Sequence, residues 1–279
     1  MIGSRRLTAD IVTPDTAHRL AEFAARDPLL YNDFASIAAI MPEEPRVWGA
    51  FDGRTLVAAA IDDGLAMSVG GDIDGLELLA AHVRDLDEKL VISGRPGEVD
   101  PFLAAAHKPR LLRPELFMSV AADGLPDGYE PVPLRIATGD DLDLLTEVRA
   151  RALEEEYGVS VPRAGTVHVE LERAVARAVA MQGVAIWIED DKVAFTAQLI
   201  AKTDIAAMFG DLYCDPAMRG EGRATRALVN FCLWLMSESE NVTLRVGVEN
   251  EPARRLYDRC GFQVVDHFHS SLAETYLQH

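Results

Sequence analysis

The sequence predicts a mixed α/β protein made of two domains that share one plan. The chain has 279 residues, about twice the commonest domain size. Residues 123–133 read DGLPDGYEPVP, a density of proline and glycine that resists helix and strand and indicates a linker. The order of predicted elements after this linker recurs in part before it. We therefore predict domains at residues 1–125 and 130–279, each a mostly antiparallel sheet flanked by helices.

The segment after the linker predicts the order β-α-α-β-β-β-α-β-α-β. Apolar residues at helical spacing, such as Leu171, Val175 and Ala178, predict the helices. The polar turn at residues 189–192 predicts a hairpin between the two strands beside it. The predicted elements are strands at 134–138, 184–188, 193–201, 205–214, 242–248 and 262–270, and helices at 140–156, 166–181, 224–236 and 252–259.

The segment before the linker predicts a weaker copy of this order. The predicted elements are strands at 47–51, 55–61, 65–69, 89–93 and 115–121, and helices at 76–86 and 100–106. Sequence identity between the halves is slight, so the repeat depends on element order alone.

Charge and cysteine content narrow the class of protein. With 27 basic and 45 acidic residues, the net charge of -18 repels phosphate backbones and anionic lipid, so we expect neither nucleic acid nor a membrane as partner. No apolar run exceeds six residues, whereas a bilayer span needs about 20, and the N-terminus has no signal-peptide pattern. The three cysteines fit no zinc spacing, which favours reduced thiols in a cytoplasmic protein.

The most informative segment is residues 219–224, RGEGRA, between a predicted strand and a predicted helix. Glycines allow backbone N–H groups to converge there, and amides at a helix N-terminus lack internal acceptors. Such a turn suits an anion such as a pyrophosphate, and Arg219, Arg223 and Arg226 add positive charge. The alternative is a glycine turn that merely starts a helix. The segment is not a Walker loop and lacks the three-glycine dinucleotide fingerprint.

A second motif lies about thirty residues further on. A predicted strand ends at Asn250, a helix begins at Pro252, and Gly261 ends that helix. The pattern R-x-x-G-x-G/A, followed by N-x-x-A-x-x-x-Y-x-x-x-G-F, resembles the GCN5-related N-acetyltransferase (GNAT) superfamily over about residues 130–275. The chain thus resembles a tandem member whose N-terminal GNAT-like domain is degenerate.

The resemblance implies a specific site for acetyl-CoA as acyl donor and cosubstrate. The strands at 205–214 and 242–248 would separate into a V-shaped cleft that holds the pantetheine arm. Tyr257 would protonate the departing thiolate after direct attack by a neutral amine, and no metal would take part. The cofactor-binding residues implied are Leu212, Tyr213 and Cys214 along the arm, Arg219, Gly220, Glu221, Gly222, Arg223, Ala224 and Thr225 at the pyrophosphate, and Asn250 and Ala253 in the cleft wall.

Several of these residues have a structural alternative. Tyr257 could be a half-buried aromatic on its helix, and Cys214 is better explained as a small apolar strand residue than as a nucleophile, since no histidine stands in a matching motif. His267 and His269 share one strand face, which we interpret as pairing with solvent or substrate and not as a metal site.

The general base is left unassigned by the sequence. Many members of the superfamily have a glutamate on the strand before the pyrophosphate loop, where this chain has Met208. Bulk water is one alternative, and the carboxylates to consider are Asp211, Glu249, Glu155 and Glu156.

The first half lacks the motifs that the resemblance depends on. Residues 69–75, VGGDIDG, contain two aspartates and no arginine, and residues 102–106 contain no tyrosine. Like charge at this turn opposes anion binding. We expect the first domain to be structural or to shape the acceptor side, the alternative being an unrelated α/β domain.

The sequence as a whole predicts a cytoplasmic acyl-CoA-dependent N-acetyltransferase with catalysis in the C-terminal half. It would move an acetyl group from acetyl-CoA to a primary amine of a small molecule or peptide within a ternary complex. One alternative is transfer from another acyl-CoA, and another is a non-catalytic acetyl-CoA sensor or regulatory module. The acceptor and the oligomeric state stay open.

Overall fold

The protein consists of two compact units. The computed structural model describes residues 6–41, 46–64, 66–83, 86, 89–107, 110–158 and 165–273. Unit 1 comprises Met1–Glu115 together with His267–His279, and unit 2 comprises Leu116–Asp266. Among the described residues, no helix combines the length and hydropathy that crossing a membrane requires.

Unit 1 is a mostly antiparallel sheet with helices. Its strands follow the order β1-β2-β3-β4-β5-β12, in which β4 and β5 are parallel. Its elements are β1 (Leu7–Ile11), α1 (Ala17–Ala24), α2 (Asn32–Ile40), β2 (Arg46–Asp52), β3 (Thr55–Asp62), β4 (Ala66–Gly71), α3 (Ile73–His82), β5 (Val91–Gly94), α4 (Pro96–Ala106), the first part of β6 (Arg110–Ala121) and most of β12 (Gln263–Ala273).

Unit 2 repeats the plan. Its strands follow the order β6-β11-β10-β9-β8-β7, in which β10 and β11 are parallel. Its elements are the second part of β6, β7 (Arg135–Ile136), α5 (Leu142–Tyr157), α6 (Thr166–Ala180), β8 (Val184–Glu189), β9 (Lys192–Lys202), β10 (Ala206–Tyr213), α7 (Arg223–Leu235), β11 (Asn241–Gly247), α8 (Glu251–Arg259) and the start of β12.

The repeat is confirmed and is more complete than predicted. From β1 to β6 and from β7 to β12 the order is the same, β-α-α-β-β-β-α-β-α-β. The prediction lacked β1, α1 and α2. In α1 the buried residues Leu20, Phe23 and Ala24 form a short apolar stripe in a helix of eight residues, which gives little periodicity to detect.

The units do not end where the predicted domains 1–125 and 130–279 end. Residues 116–121 of β6 belong to unit 2, and residues 267–273 of β12 belong to unit 1, where His269–Leu272 pair antiparallel with Val91–Gly94. The predicted linker has no α-helix or strand and lies inside unit 2. Prolines and glycines indicate where regular structure stops, but they carry no information about which sheet the next strand joins.

The core of unit 2 lies on both faces of its sheet. On one face Phe209 and Phe231 pack edge to face with ring centroids 5.7 Å apart, among buried residues of α7 and α8. On the other face Leu145 of α5 and Val179 of α6 lie over Ile186 of β8. The first half of β10 is therefore buried, and its residues 210–212, near the candidate site, are half-buried.

The start of α5 is fixed by a buried carboxylate. Asp141 accepts hydrogen bonds from the Thr138 backbone N–H at 2.8 Å and from Arg135 at 2.7 and 2.8 Å. The Arg135 guanidinium, and then the Thr138 N–H, lower the pKa of Asp141 to about 2. Asp141 and Thr138 thereby form a capping box on the 3-10 turn Gly139–Asp141, from which α5 continues.

Candidate active site

The strands β10 and β11 run side by side only at their beginnings. Their parallel pairing covers Ala206–Met208 against Asn241–Thr243, although both strands continue for several residues beyond this point. The predicted separation of these strands is therefore confirmed. Past Met208, the edge of β10 that faces β11 has no ladder partner among the residues that the structure describes, and backbone groups at such an edge can pair with an extended ligand.

A bulge interrupts β10 just where the strands part. Gly210 pairs with Gln198 and Tyr213 with Thr196, so two residues of β10 stand opposite one residue of β9. Asp211 in this bulge has φ +54, a left-handed conformation that is uncommon outside glycine. An ion pair of 2.8 Å from Asp211 Oδ1 to Arg149 of α5 holds it. The bulge places Leu212 out of the regular ladder with β9.

The loop after β10 has the geometry of an anion site. Gly220 has φ +91 and Gly222 has φ +76, and a Cβ at either position would meet no atom within 4 Å. The helix α7 begins at Arg223, and its first intrahelical bond runs from Arg226 N to Gly222 O. The amides of residues 223–225 therefore have no intrahelical acceptor and lie at the positive end of the helix dipole.

Two of the three arginines predicted to add positive charge, Arg219 and Arg223, are paired with carboxylates, so the local excess of positive charge is smaller than predicted. Arg219 contacts Glu155 at 2.6 Å, and Arg223 contacts Glu189 at 3.1 Å and Glu221 at 2.7 Å. The hydrogen bond from Arg223, together with its charge, lowers the pKa of Glu189. Local sequence does not indicate the pairs with Glu155 and Glu189, because these residues come from α5 and β8, distant along the chain.

Two of the arginines also contact aromatic rings. The Arg226 guanidinium lies 5.9 Å from the centroid of the Trp187 ring, and the Arg219 guanidinium lies 5.7 Å from that of Tyr213. Arg219 Nε further donates to the Cys214 carbonyl at 2.9 Å. Arg219 thus fixes the end of β10 against the glycine loop.

The motif residue Asn250 has a structural role that the sequence did not assign to it. Its Oδ1 accepts a hydrogen bond from Ala253 N at 3.2 Å and so caps the N-terminus of α8. Ala253 is half-buried and packs against the apolar core. Gly261, with φ +86, ends the helix region, and a Cβ there would lie 1.9 Å from the Gly124 carbonyl oxygen.

Tyr257 lies on α8 with its ring inside an aromatic cluster. The side chain is buried, and its ring centroid is 6.2 Å from that of Phe209 and 5.8 Å from that of Phe262. Within the described part of the chain, the hydroxyl makes no hydrogen bond. Burial, and then the charge of Glu156, raise the pKa of Tyr257, so that the phenol keeps its proton at neutral pH.

The cysteines behave as apolar residues. Cys214, Cys232 and Cys260 are free and buried. Burial raises the pKa of Cys214, and it raises that of Cys260 to about 12. Neutral thiols are poor nucleophiles, which agrees with the interpretation of Cys214 as an apolar strand residue.

The histidines of the last strand do not belong to unit 2. His267 and His269 are part of unit 1, where His269 Nδ1 contacts Asp100 Oδ1 at 2.8 Å. The expected pairing with solvent or substrate therefore does not describe His269. In the ranges that the structure describes, no group of three or more acidic, histidine or cysteine side chains is arranged to hold a metal ion.

The corresponding position of unit 1 is occupied by the protein's own side chains. The pairing of β4 with β5 also stops after three residues, but Glu98 of α4 then accepts a hydrogen bond from the Gly71 N–H at 3.0 Å. Glu98 is buried, pairs with Arg95 at 2.7 Å and bonds to the Tyr31 hydroxyl. The Tyr31 ring lies against the backbone of β4, so close that a Cβ on Gly70 would be 2.7 Å from it.

Several solved structures of GNAT acetyltransferases have the same fold as this chain. The fold is that of solved GNAT acetyltransferases: one from Colwellia psychrerythraea (11% identity, TM-score 0.56, 95% of this chain and 98% of that one) and one from Sphaerobacter thermophilus (17%, 0.58, 97% and 96%). A tandem GNAT protein from the clavulanic acid biosynthesis pathway is also similar (16%, 0.56, 96% and 99%). At these identities the likeness shows the fold.

Part of the sequence of unit 2 matches a family model. Residues 149–262 match the model of the acetyltransferase (GNAT) family. Residues 149–262 are thus similar to GNAT acetyltransferase domains, and the fold of the chain is similar to that of one tandem GNAT protein. No curated protein matches the sequence.

Proposed function

We propose that this protein is an N-acetyltransferase that transfers the acetyl group of acetyl-CoA to a primary amine. The observation that carries the proposal is the opening between β10 and β11, with unpaired backbone at the bulge, the α7 amides at one end and Tyr257 beside it. A GNAT domain of the matched family supports acyl transfer in general.

The opening suits the extended pantetheine arm of the cofactor. Its amides would pair with the backbone of residues 212–214, while its pyrophosphate would lie on the amides of residues 220–225. The free Cβ space at Gly220 and Gly222 supports this placement, because phosphate oxygens could approach the backbone there without meeting a side chain. Asn250 and Ala253 would form the opposite wall, with Asn250 acting through the cap of α8.

The chemistry would be a single displacement inside a ternary complex. A backbone N–H at the bulge, at Leu212 or a neighbour, would stabilise the oxyanion that forms as the amine attacks the thioester. The Tyr257 hydroxyl would donate its proton to the departing thiolate. The raised pKa of the phenol supports an acid role, since the proton is present at neutral pH and is transferred only when a strong base forms nearby.

We further propose a structural role for unit 1. Glu98, Arg95 and Tyr31 fill the position at which unit 2 is open, and this supports a domain without a cofactor of its own. A cytoplasmic site of action agrees with three free thiols and with the supply of acetyl-CoA.

The deciding experiment follows thiol release from acetyl-CoA with a thiol reagent. The probes are an alkylamine, tryptamine, spermidine, lysine and a peptide with a free N-terminus. We expect release above the hydrolytic background with at least one amine, and an acetylated product of the matching mass. Binding of acetyl-CoA without release for any probe would instead favour a cofactor sensor, for which the buried Met208 at the position of the usual glutamate is the supporting observation. Propionyl-CoA and longer donors in the same assay test the acyl preference.

A further inference from the structure

Asp211 has a backbone conformation that is unusual for its place in the fold. Its φ of +54 lies in the left-handed region, although the residue stands inside strand β10. A left-handed residue within a strand is strained, and a specific contact is needed to hold it. The other described non-glycine residues of positive φ lie where this conformation is ordinary, just after helices or in the turn between β8 and β9: Met41, His107, Gln182, Asp190 and Asp191.

Pairing between strands does not supply the contact that holds Asp211. On the β9 side, the ladder is interrupted between Gly210 and Tyr213. On the β11 side, the pairing within the described residues ends at Met208. In this part of the chain, Asp211 and Leu212 therefore have no strand partner, so side-chain contacts must fix their backbone.

The contact that the structure provides is an ion pair with Arg149 of α5. Arg149 Nη2 lies 2.8 Å from Asp211 Oδ1, and the two side chains are 24% and 23% exposed. Solvent screens a pair of this burial less than it screens an exposed one. Arg149 lies one turn after the buried Leu145 and one turn before the buried Ala152. The pair thus connects the packed face of α5 to the bulge.

The conformation of Asp211 sets the direction of one backbone donor. The Leu212 N–H belongs to the planar peptide group that joins residues 211 and 212, so its direction follows from the dihedral angles of Asp211. This N–H is the donor proposed above for the oxyanion. A return of Asp211 to the negative φ of a regular strand would rotate the peptide group and turn the N–H away. An oxyanion donor is effective only when it points to the atom on which charge develops.

We propose, on the basis of the acetyl transfer proposed above, that Arg149 is a positioning residue for this reaction. By pairing with Asp211, it holds the bulge in the conformation that directs the Leu212 N–H to the acetyl carbonyl oxygen. Arg149 acts through the backbone and touches neither substrate. The Asp211 carboxylate is the anchor of this contact, which separates it from the other carboxylates considered for the general base.

Replacement of Asp211 by glycine distinguishes this role from a direct one. Glycine adopts positive φ about as readily as negative φ, so it takes the left-handed conformation without an ion pair. If Arg149 acts only by holding that conformation, it is no longer needed once the residue is glycine. If Arg149 instead binds a substrate, or if the Asp211 carboxylate accepts a proton, glycine cannot compensate for the loss.

The test is a double-mutant cycle on kcat at saturating acetyl-CoA, with the amine probe that the wild type acetylates fastest. We expect Arg149→Met and Asp211→Ala each to lower kcat by about 10- to 100-fold, less than the outright loss of an oxyanion donor. Asp211→Gly should keep kcat within about fivefold of the wild type. Adding Arg149→Met to Asp211→Gly should lower kcat further by less than about threefold.

Binding of acetyl-CoA provides the second measurement. Its affinity, measured by calorimetry, should change by less than about fivefold in every variant, because the donor acts on the transition state. A binding stoichiometry equal to that of the wild type shows that each variant is folded. The matched control is Arg173→Met, which removes an exposed pair with Glu170 within α6 and should leave kcat unchanged.

Three results would overturn the role of Arg149 alone. The first is a wild-type kcat in Arg149→Met. The second is an Asp211→Gly enzyme as slow as Asp211→Ala, which would show that the carboxylate itself is required. The third is an Arg149→Met defect of equal size in the wild-type and Asp211→Gly backgrounds, which would assign Arg149 to substrate. A wild type that acetylates none of the probes would refute the acetyl transfer itself, and the role of Arg149 with it.

Discussion

At the scale of single residues, Tyr257 combines two properties that rarely occur together. Its ring is packed between Phe209 and Phe262, while its hydroxyl makes no hydrogen bond within the described residues. A buried phenol that stabilised the fold through its oxygen would have a partner there. The ring accounts for folding, and the hydroxyl is available for chemistry.

Substitution of Tyr257 by phenylalanine should separate these two contributions. We expect Tyr257→Phe to lower kcat by about 10²-fold, because the acid is lost while the packing stays. Calorimetry should give an unchanged affinity for acetyl-CoA, and chemical denaturation an unchanged stability. Tyr129→Phe, at an exposed position, is the matched control. Full turnover in Tyr257→Phe would assign the residue to the core alone.

The glycine loop allows a similar separation of strain from function. Gly222→Val should weaken acetyl-CoA binding by at least about 100-fold, because the side chain would cover the α7 amides. The backbone at φ +76 also costs about 1–2 kcal/mol for any residue with a Cβ. Gly53→Val, at φ +60 in an open turn of unit 1, has the same strain and should bind acetyl-CoA normally. Equal affinity in both variants would argue against a pyrophosphate at this loop.

Residue types and spacing alone indicated the loop, the capped helix and Tyr257. They did not indicate that Arg219 and Arg223 are paired with carboxylates, since those partners lie on other elements. They also did not indicate that the Asn250 side chain caps α8. Contacts of this kind depend on which elements fold together, and local sequence does not carry that information.

At the scale of elements, the start of α5 depends on one carboxylate. Asp141 has a pKa of about 2 in the folded protein, below the value of about 3.9 in an unfolded chain. A carboxylate with a lowered pKa stabilises the fold above the unfolded pKa, and this contribution is lost as the pH falls from about 4 to about 2.

The corresponding variant is Asp141→Asn. At pH 7 we expect a loss of about 1–2 kcal/mol in the free energy of unfolding, typical of a lost helix cap with charged partners. The difference from the wild type should shrink when urea unfolding is repeated below pH 4. Asp140→Asn, at an exposed position beside it, should show neither effect. A destabilisation that does not change with pH would contradict the ion-pair origin of the cap.

Most elements were predictable because each has its own apolar periodicity, and their ends agree to within a few residues. The bulge at Asp211 could not be predicted from the sequence, because the left-handed conformation of Asp211 is stabilised by an ion pair with Arg149, some sixty residues away in sequence. The same holds for the last strand. Its alternating pattern predicted β12 itself, but the sheet that it joins is set by long-range pairing with β5.

At the scale of the whole molecule, the two units have the same order of elements. They differ at the place where two parallel strands separate, β10 and β11 in unit 2 and β4 and β5 in unit 1. In unit 2 the backbone beyond Met208 is open, and in unit 1 Glu98 bonds to Gly71 at the corresponding place. We expect calorimetry to give one acetyl-CoA per chain, and none in Gly222→Val. A stoichiometry of two would show that acetyl-CoA displaces the side chains of Glu98, Arg95 and Tyr31 in unit 1.

Because β12 belongs to unit 1, the sheet of unit 1 cannot be completed until the C-terminal residues have been synthesised. A ribosome completes Leu116–Asp266, all of unit 2, before it makes residues 267–273. At about 5–20 residues per second, the outer edge of β5 waits roughly 10–30 seconds for its neighbour after residue 115 has been made. Only Val91–Gly94 form that edge, and so short a strand offers little template for pairing with another chain. The shortness of β5 thus limits pairing of the nascent chain with other chains until β12 has been made.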